Sequence, residues 1–375
     1  MSTDRLTFGI VITCYNYGHY VQQAIESALA QTRAADEIIV LDDGSTDNSK
    51  TVISGYGSRI RPIFQANQGY SHAINRGFQE TRADVVLFLD ADDALHPTAL
   101  EKVEKVWCPG LAKVQFDLDI IDGGGRRLGR RFANFARDIP CRDTAAAFRT
   151  TGTYRWPVTS GNAHARQFLE RVMPLTPPVG HDGVLNTIAP VYGGVYTIGE
   201  ALGVYRLHGR NMSMTDARGS FKRHPDFSRQ ISFRRREFDM LGEHARRTAF
   251  ALPSGDLLDN ELVFVNYRLM ARKMGHAYEG QEGDSVPRLW RRGMRLAAAE
   301  SSWQAVFANC AWLTLLAMAP RPLATAMVVL RFNRAEFFRV AGERIAQALA
   351  FFGLRPRSRQ HHAPAVKGAG LSGRE

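Results

Sequence analysis

Val85-Val86-Leu87-Phe88-Leu89-Asp90-Ala91-Asp92-Asp93 runs five apolar residues straight into a cluster of three carboxylates. An unbroken apolar run of this length predicts a strand covered on both faces, as in a parallel sheet. Open α/β sheets bind ligands just beyond the carboxyl ends of such strands. Carboxylates crowded at that point repel one another, and a divalent cation relieves the repulsion. The stretch therefore predicts an α/β sheet with a metal at its mouth. The plainer alternative is an acidic turn that caps the next helix.

Outward from this stretch, residues 5–110 alternate strand and helix. Strands are expected at Thr7–Thr13, Glu37–Leu41, Ile60–Phe64 and Asp84–Leu89. Helices are expected at Val21–Ala30, at Gly69–Gln79, after a cap at Thr46 or Asp47, and at His96–Val106 with Pro97 in its first turn. Repeated βα units imply parallel strands joined by right-handed crossovers. Lys113–Asp119 alternates like an antiparallel strand, with a turn at Asp122–Gly125. Helices follow at Asp143–Thr150, Arg166–Val172 and Asp182–Ala189, then two short strands, Gly194–Ile198 and Gly203–Arg206.

After residue 215 the texture changes to Arg, Ala and Leu with few turn signals, which predicts helices. Trp303–Ala319 is strongly apolar, and Pro320 and Pro322 separate it from Leu323–Leu330. Such segments fall short of the ~20 residues a spanning helix needs. They suit either a hairpin packed on the rest or an interfacial helix flanked by Arg331, Arg334, Arg339 and Arg344. The expected organisation is an α/β domain over 1–215, split into halves 1–110 and 111–215. A mainly helical basic region over 216–360 and a disordered tail over 361–375 follow.

The charge is divided in the same way. Of 48 Lys and Arg and 37 Asp and Glu, 26 and 15 lie from Asp216 onward, which leaves 22 of each sign before it. The whole excess of +11 sits in the second part and predicts contact with an anionic surface. No zinc spacing or aromatic-basic RNA signature accompanies it, so no specific nucleic acid is expected. Four scattered cysteines argue against a disulfide framework and fit a reducing compartment. Phe8–Thr13 is too short for the core of a signal peptide.

Four segments line up at predicted strand ends: Val11–Tyr17, Ile39–Asp47, Asn67-Gln68-Gly69 leading to Asn75-Arg76-Gly77, and Leu89–Asp93. Together they resemble the nucleotide-sugar-binding half of family 2 glycosyltransferases, over roughly residues 6–212. The resemblance implies a GT-A fold, a Rossmann-like α/β architecture with a mostly parallel sheet flanked by helices, here carrying a helical C-terminal appendage. It implies an inverting enzyme that moves a hexosyl or N-acetylhexosaminyl group from a nucleotide-sugar, with UDP expected, to a hydroxyl acceptor. That acceptor would be a saccharide or lipid-linked, in polysaccharide or glycolipid biosynthesis, at the cytoplasmic face of a membrane.

The resemblance also implies roles. Tyr15 stacks on the base, Asp43 accepts its N3–H, and Thr13, Asn16, Asp42, Asn67 and Gly69 complete the nucleotide contacts. Asp90, Ala91 and Asp92 form the Asp-X-Asp motif, in which Asp90 and Asp92, with His208, hold Mn²⁺ or Mg²⁺. Asp182 is the catalytic base. Gly161 and Asn162 form a loop along the acceptor sugar, and His181 stands where an acidic neighbour of the base is usual. Arg206 or Arg210 is available for phosphate. Ile74 stands where many members carry Arg. The rival readings are a nucleotidyltransferase, which would carry a basic phosphate loop absent from Tyr15–His19, and a non-catalytic protein that binds anionic surfaces.

Overall fold

The computed structural model describes residues 5–176, 181–208, 211, 227–300 and 302–332. The first half runs β1 (Phe8–Cys14), α1 (Val21–Leu29), β2 (Glu37–Asp43), α2 (Ser49–Ser54), β3 (Arg61–Gln65), α3 (Tyr70–Glu80) and β4 (Val85–Asp90). Every residue of β1 is buried. Its side chains alternate between two apolar layers, as a two-sided strand requires. Ile10 and Ile12 pack with Val21 and Ile25 of α1, whereas Val11 packs with Ile39, Ile74 and Phe78.

β1 lies between β2 and β4 and is parallel to both, with β3 beyond β2. Thr13 stands opposite Asp90, and Cys14 opposite Asp42. The carboxyl ends of these three strands therefore finish level, and that shared edge carries the acidic residues.

The chain continues through β5 (Ala94–Leu95), α4 (Ala99–Val106), β6 (Leu111–Asp122), β7 (Arg127–Arg131), α5 (Cys141–Thr151), β8 (Asn162–Ala165), α6 (Arg166–Val172), α7 (His181–Tyr192) and β9 (Gly194–Leu207). The sheet order is β3-β2-β1-β4-β8-β6-β9-β5, with β7 paired to β6. The strand expected at Lys113–Asp119 is antiparallel to β7 and β8 but parallel to β9. The two strands expected after Gly194 are one bent strand, β9. Its register against β6 shifts near Phe116–Asp119, and at Gly199 a Cβ would meet the Arg137 backbone at 2.3 Å. A local bulge bends a strand without ending it. β5, β7 and β8 carry too little periodicity to be read from sequence.

Among the described residues five α-helices follow: α8 (Ser228–Arg247), α9 (Leu262–Met274), α10 (Val286–Ala298), α11 (Trp303–Met318) and α12 (Arg321–Phe332). They close a core of their own around Ile231, Val265, Leu269, Leu289, Leu313, Leu316 and Val328. Ser285 caps α10, and Pro287 lies in its first turn. α8 packs on α7. Between them the buried Arg234 guanidinium bonds Thr187 Oγ1 at 2.5 Å, Glu237 Oε2 at 2.7 Å and both Glu261 oxygens.

Among the described residues, no helix is long and apolar enough to cross a membrane, and the four cysteines are free. Arg210, Arg334, Arg339, Arg344 and the 361–375 tail lie outside the described residues.

Candidate active site at the sheet mouth

The loops leaving β1 and β2 lock together before any ligand arrives. Asn16 adopts φ +58°, and its Oδ1 accepts from Thr46 N at 2.7 Å while its own N–H donates to Ser45 Oγ at 2.8 Å. Asp42 is buried and holds the same turn through Ser45 N at 3.2 Å and the Ser45 hydroxyl. Asp43, also buried, accepts from Gln65 Nε2 at 2.7 Å, Gln68 N at 3.0 Å and Gly69 N at 2.8 Å. A carboxylate has about four acceptor positions, so roughly one stays open.

Gly44, at φ +75°, permits this closure, because a Cβ there would stand 2.6 Å from Asn67 N. Asn67 is exposed, and Tyr15 lies 46% exposed beside the acidic edge. Thr13 Oγ1 is buried with no partner among the described residues, an orphan polar atom at the end of β1.

Asp90, Asp92 and Asp93 each offer an oxygen within 4.8 Å of one another. Tyr70 Oη donates to Asp90 Oδ1. Ser160 Oγ accepts from Asp90 N at 3.2 Å and donates to Asp93 Oδ2 at 2.7 Å. Arg206 N donates to Asp93 Oδ1 at 3.0 Å. His208 Nε2 stands 2.8 Å from Asp92 Oδ2, and its ring stacks on Tyr20 with centroids 5.2 Å apart. Asn211 Oδ1 accepts from His208 N at 2.6 Å, which fixes the histidine's backbone.

Burial, then the charge of Asp92, pushes the Asp90 carboxyl up to about 7. The same causes hold Asp93 well above the ordinary carboxylate range. Crowded carboxylates that resist ionisation, one of them beside an imidazole nitrogen, fit a hard divalent cation such as Mn²⁺ or Mg²⁺.

Asp182 opens α7, and its Oδ1 accepts from Gly183 N at 2.9 Å. A carboxylate in the first turn is favoured by the helix dipole. Its charge reaches Asp90 and adds to the upward push there. Glu237 of α8 lies against the same turn: a Cβ on Gly183 would sit 1.9 Å from Glu237 Oε1. Burial pushes Glu237 up to about 7 against the pull of Arg234. Behind α7, the buried Lys113 ammonium donates to Asn162 Oδ1 at 2.7 Å and to Asn186 Oδ1. Asn186 follows Asp182 by four residues, so both lie on one helix face. Burial takes Lys113 well below the usual lysine range.

The profile of glycosyl transferase family 2 matches residues 9–172. An uncharacterised glycosyltransferase of Nostoc sp. is 38% identical over 221 residues, 56% of this chain and 68% of that protein. The chain belongs to glycosyl transferase family 2. A second uncharacterised glycosyltransferase, from Escherichia coli, is 41% identical over 103 residues, 27% of this chain and 29% of that protein. Among solved structures, S. aureus TarS 1–349 in complex with UDP-GlcNAc is similar at a TM-score of 0.47 and 12% identity, covering 83% of this chain and 90% of that one. The mannosyltransferase PcManGT of Pyrobaculum calidifontis, in complex with GDP-Man and Mn²⁺, is similar at 0.44 and 16% identity, covering 87% and 84%.

In this glycosyltransferase, which has the GT-A fold, the residues expected at the donor side and at Asp182 gather around one sheet edge. Gly161 is buried, and a Cβ on it would meet Pro157 and the Phe116 carbonyl at 2.8 Å, so packing by itself requires a glycine here. Asn162 is 1% exposed and turns inward to Lys113 Nζ and the Val158 carbonyl.

Arg206 is not held in reserve for phosphate. Its Nε bonds the Asp92 carbonyl at 2.8 Å, and its guanidinium lies 4.7 Å from the Tyr20 ring centroid. Ala91 is buried in the apolar core. The backbone of His181 begins α7, and its side chain lies outside the described residues. Tyr70, Ser160, Asn211 and Glu237 were not singled out from sequence. Tyr70 follows Gly69 directly, Ser160 precedes Gly161 and Asn211 lies three residues past His208, whereas Glu237 has no local signal at all.

Proposed function

We propose that this glycosyltransferase is inverting and metal-dependent, and that it transfers a hexosyl or N-acetylhexosaminyl group from a UDP-sugar to a hydroxyl of a saccharide or lipid-linked acceptor. The observation that carries the reading is the cluster of Asp90, Asp92 and Asp93, with oxygens within 4.8 Å of one another at the end of β4, and Asp182 near enough to add to the upward push on Asp90. Phosphate-side and base-side carboxylates around one centre suit a single displacement.

Tyr15 supplies the exposed ring for the base, the open position on Asp43 accepts the base N–H, and Thr13 Oγ1 supplies an unused hydroxyl. Asn16, Asp42, Asn67 and Gly69 act mainly by shaping this cradle. Asp92, Asp90 and His208 would hold Mn²⁺ or Mg²⁺, which when bound offsets charge on the leaving diphosphate. Asp182 takes the acceptor proton as the sugar leaves. Formation of polysaccharide or glycolipid on the cytoplasmic side of a membrane fits these roles.

Calorimetric titration with UDP, GDP and dTDP, each with and without Mn²⁺, tests the reading. Mn²⁺-dependent binding of UDP is expected. Binding of none of the three, or binding indifferent to metal, would overturn it.

A further inference from the structure

We infer that the outer face of α11, continued by the start of α12, is a surface that lies on an anionic phospholipid bilayer. This goes beyond the transfer reaction and does not depend on it.

α11 contains no charged residue. Leu313 and Leu316 bury one side of it in the C-terminal core. The other side leaves Trp303 73%, Phe307 71%, Leu315 60% and Met318 80% exposed, and Leu323 of α12 is 54% exposed. Counted from Trp303, helical rotation puts Phe307, Met318 and Leu315 at about 40°, 60° and 120°. The four therefore form one stripe along a helix about 24 Å long. Single exposed apolar residues are ordinary, but a contiguous stripe of two aromatics, a leucine and a methionine marks a contact surface.

Charge selects the partner. No Asp or Glu lies between Glu300 and Glu336, a stretch that contains Arg321, Arg331 and Arg334. From Ser302 onward the chain holds 10 Lys and Arg against 3 Asp and Glu. A second copy of the same surface would bring like charge against like charge. Residues 333–375 are themselves basic, with 8 Lys and Arg against 3 Asp and Glu, and add to the positive charge of this end of the chain.

An anionic lipid surface satisfies both halves of the pattern: acyl chains take the stripe, and headgroups take the arginines. At 16 residues α11 is too short to span, and Pro320 comes two residues after its end, so the helix lies in the interface plane.

The test is co-sedimentation of the full chain with phosphatidylcholine vesicles containing or lacking phosphatidylglycerol. The Trp303→Ser/Phe307→Ser variant is compared with wild type, and sedimentation velocity is run without lipid. The expected result is binding that requires the anionic lipid and falls at least tenfold in the variant, with a blue shift of emission lost in Trp303→Phe. A Leu315→Ser/Met318→Ser variant repeats the test from the other end of the stripe. Near-UV circular dichroism checks that the variants stay folded. Equal partitioning of variants and wild type overturns the inference, as does failure to bind anionic vesicles. So does a lipid-free dimer that the substitutions dissociate, which would make the occupant a second copy.

Discussion

Asp90→Asn should make the metal-free protein more stable, not less. The wild-type carboxyl, ordinarily at 3.8, is pushed up to about 7 by burial and by Asp92. A shift of about 3 units corresponds to an upper limit of about 4 kcal/mol. Sharing of that shift among coupled carboxylates, and solvent at the cleft, reduce it to about 2 kcal/mol. Asparagine keeps an oxygen for the Tyr70 hydroxyl, so the bond is retained while the charge is lost.

The sign follows from linkage. The folded state holds this proton more tightly than the unfolded state, so wild-type stability falls as pH rises from about 4 through 7. Stability of the variant relative to wild type should therefore grow over that window and level off above it. Urea midpoints in EDTA at pH 5 and pH 8 measure the difference. Saturating Mn²⁺ should reverse the order at pH 8, because only wild type keeps the full ligand set. A variant no more stable than wild type at pH 8 in EDTA, or a difference that does not shrink on acidification, would refute the account of Asp90 as a carboxylate awaiting a counter-charge.

Asp182→Asn should leave Mn²⁺-dependent UDP affinity within about twofold and lower sugar transfer or donor hydrolysis by about 10²- to 10⁴-fold; appreciable residual turnover would remove Asp182 as the base. Gly183→Ala should cost about 1–3 kcal/mol, because the new methyl would occupy the position of the Glu237 carboxylate, 1.9 Å away. An unchanged denaturation midpoint would show that α8 yields freely.

Strands β1, β2 and β4 were legible because burial on both faces leaves an apolar run, and because each run ends in polar residues at the same sheet edge. Asp43, Asp90, Asp92 and Asp182 could be picked out because each sits at a strand or helix terminus, where sequence and geometry coincide. β8 was not legible: four residues, Asn162–Ala165, carry no period, and they form a strand only because β4 and β6 offer edges on both sides. The partner of Asn162 was not legible for a related reason: it is the ammonium of Lys113, 49 positions away. Glu237 was invisible because nothing in the charged run of α8 separates the one carboxylate that faces Gly183 from those that face solvent.

The contacts of Glu237 also bear on the boundary drawn at residue 215. α7 is covered by α8, and Thr187 and Thr153 hold Arg234 and Glu261 from the helical part. Phe148 of α5 shares a cluster with Leu241 and Leu257. Removing residues 216–375 would uncover this surface and leave Thr187 and Thr153 without those partners. Each large apolar side chain lost from the contact is worth about 1.5–3 kcal/mol, and the three or four involved together approach the ~5–15 kcal/mol of a whole domain. The fragment 1–215 should therefore bind ANS and unfold without a sharp transition, even though its sheet is complete. A cooperatively folded fragment with the full-length protein's nucleotide-dependent stabilisation would refute this, and would make the C-terminal helices an appendage. The opposite outcome makes them a wall of the base helix, with the start of α7 held by a carboxylate that comes from outside the sheet domain.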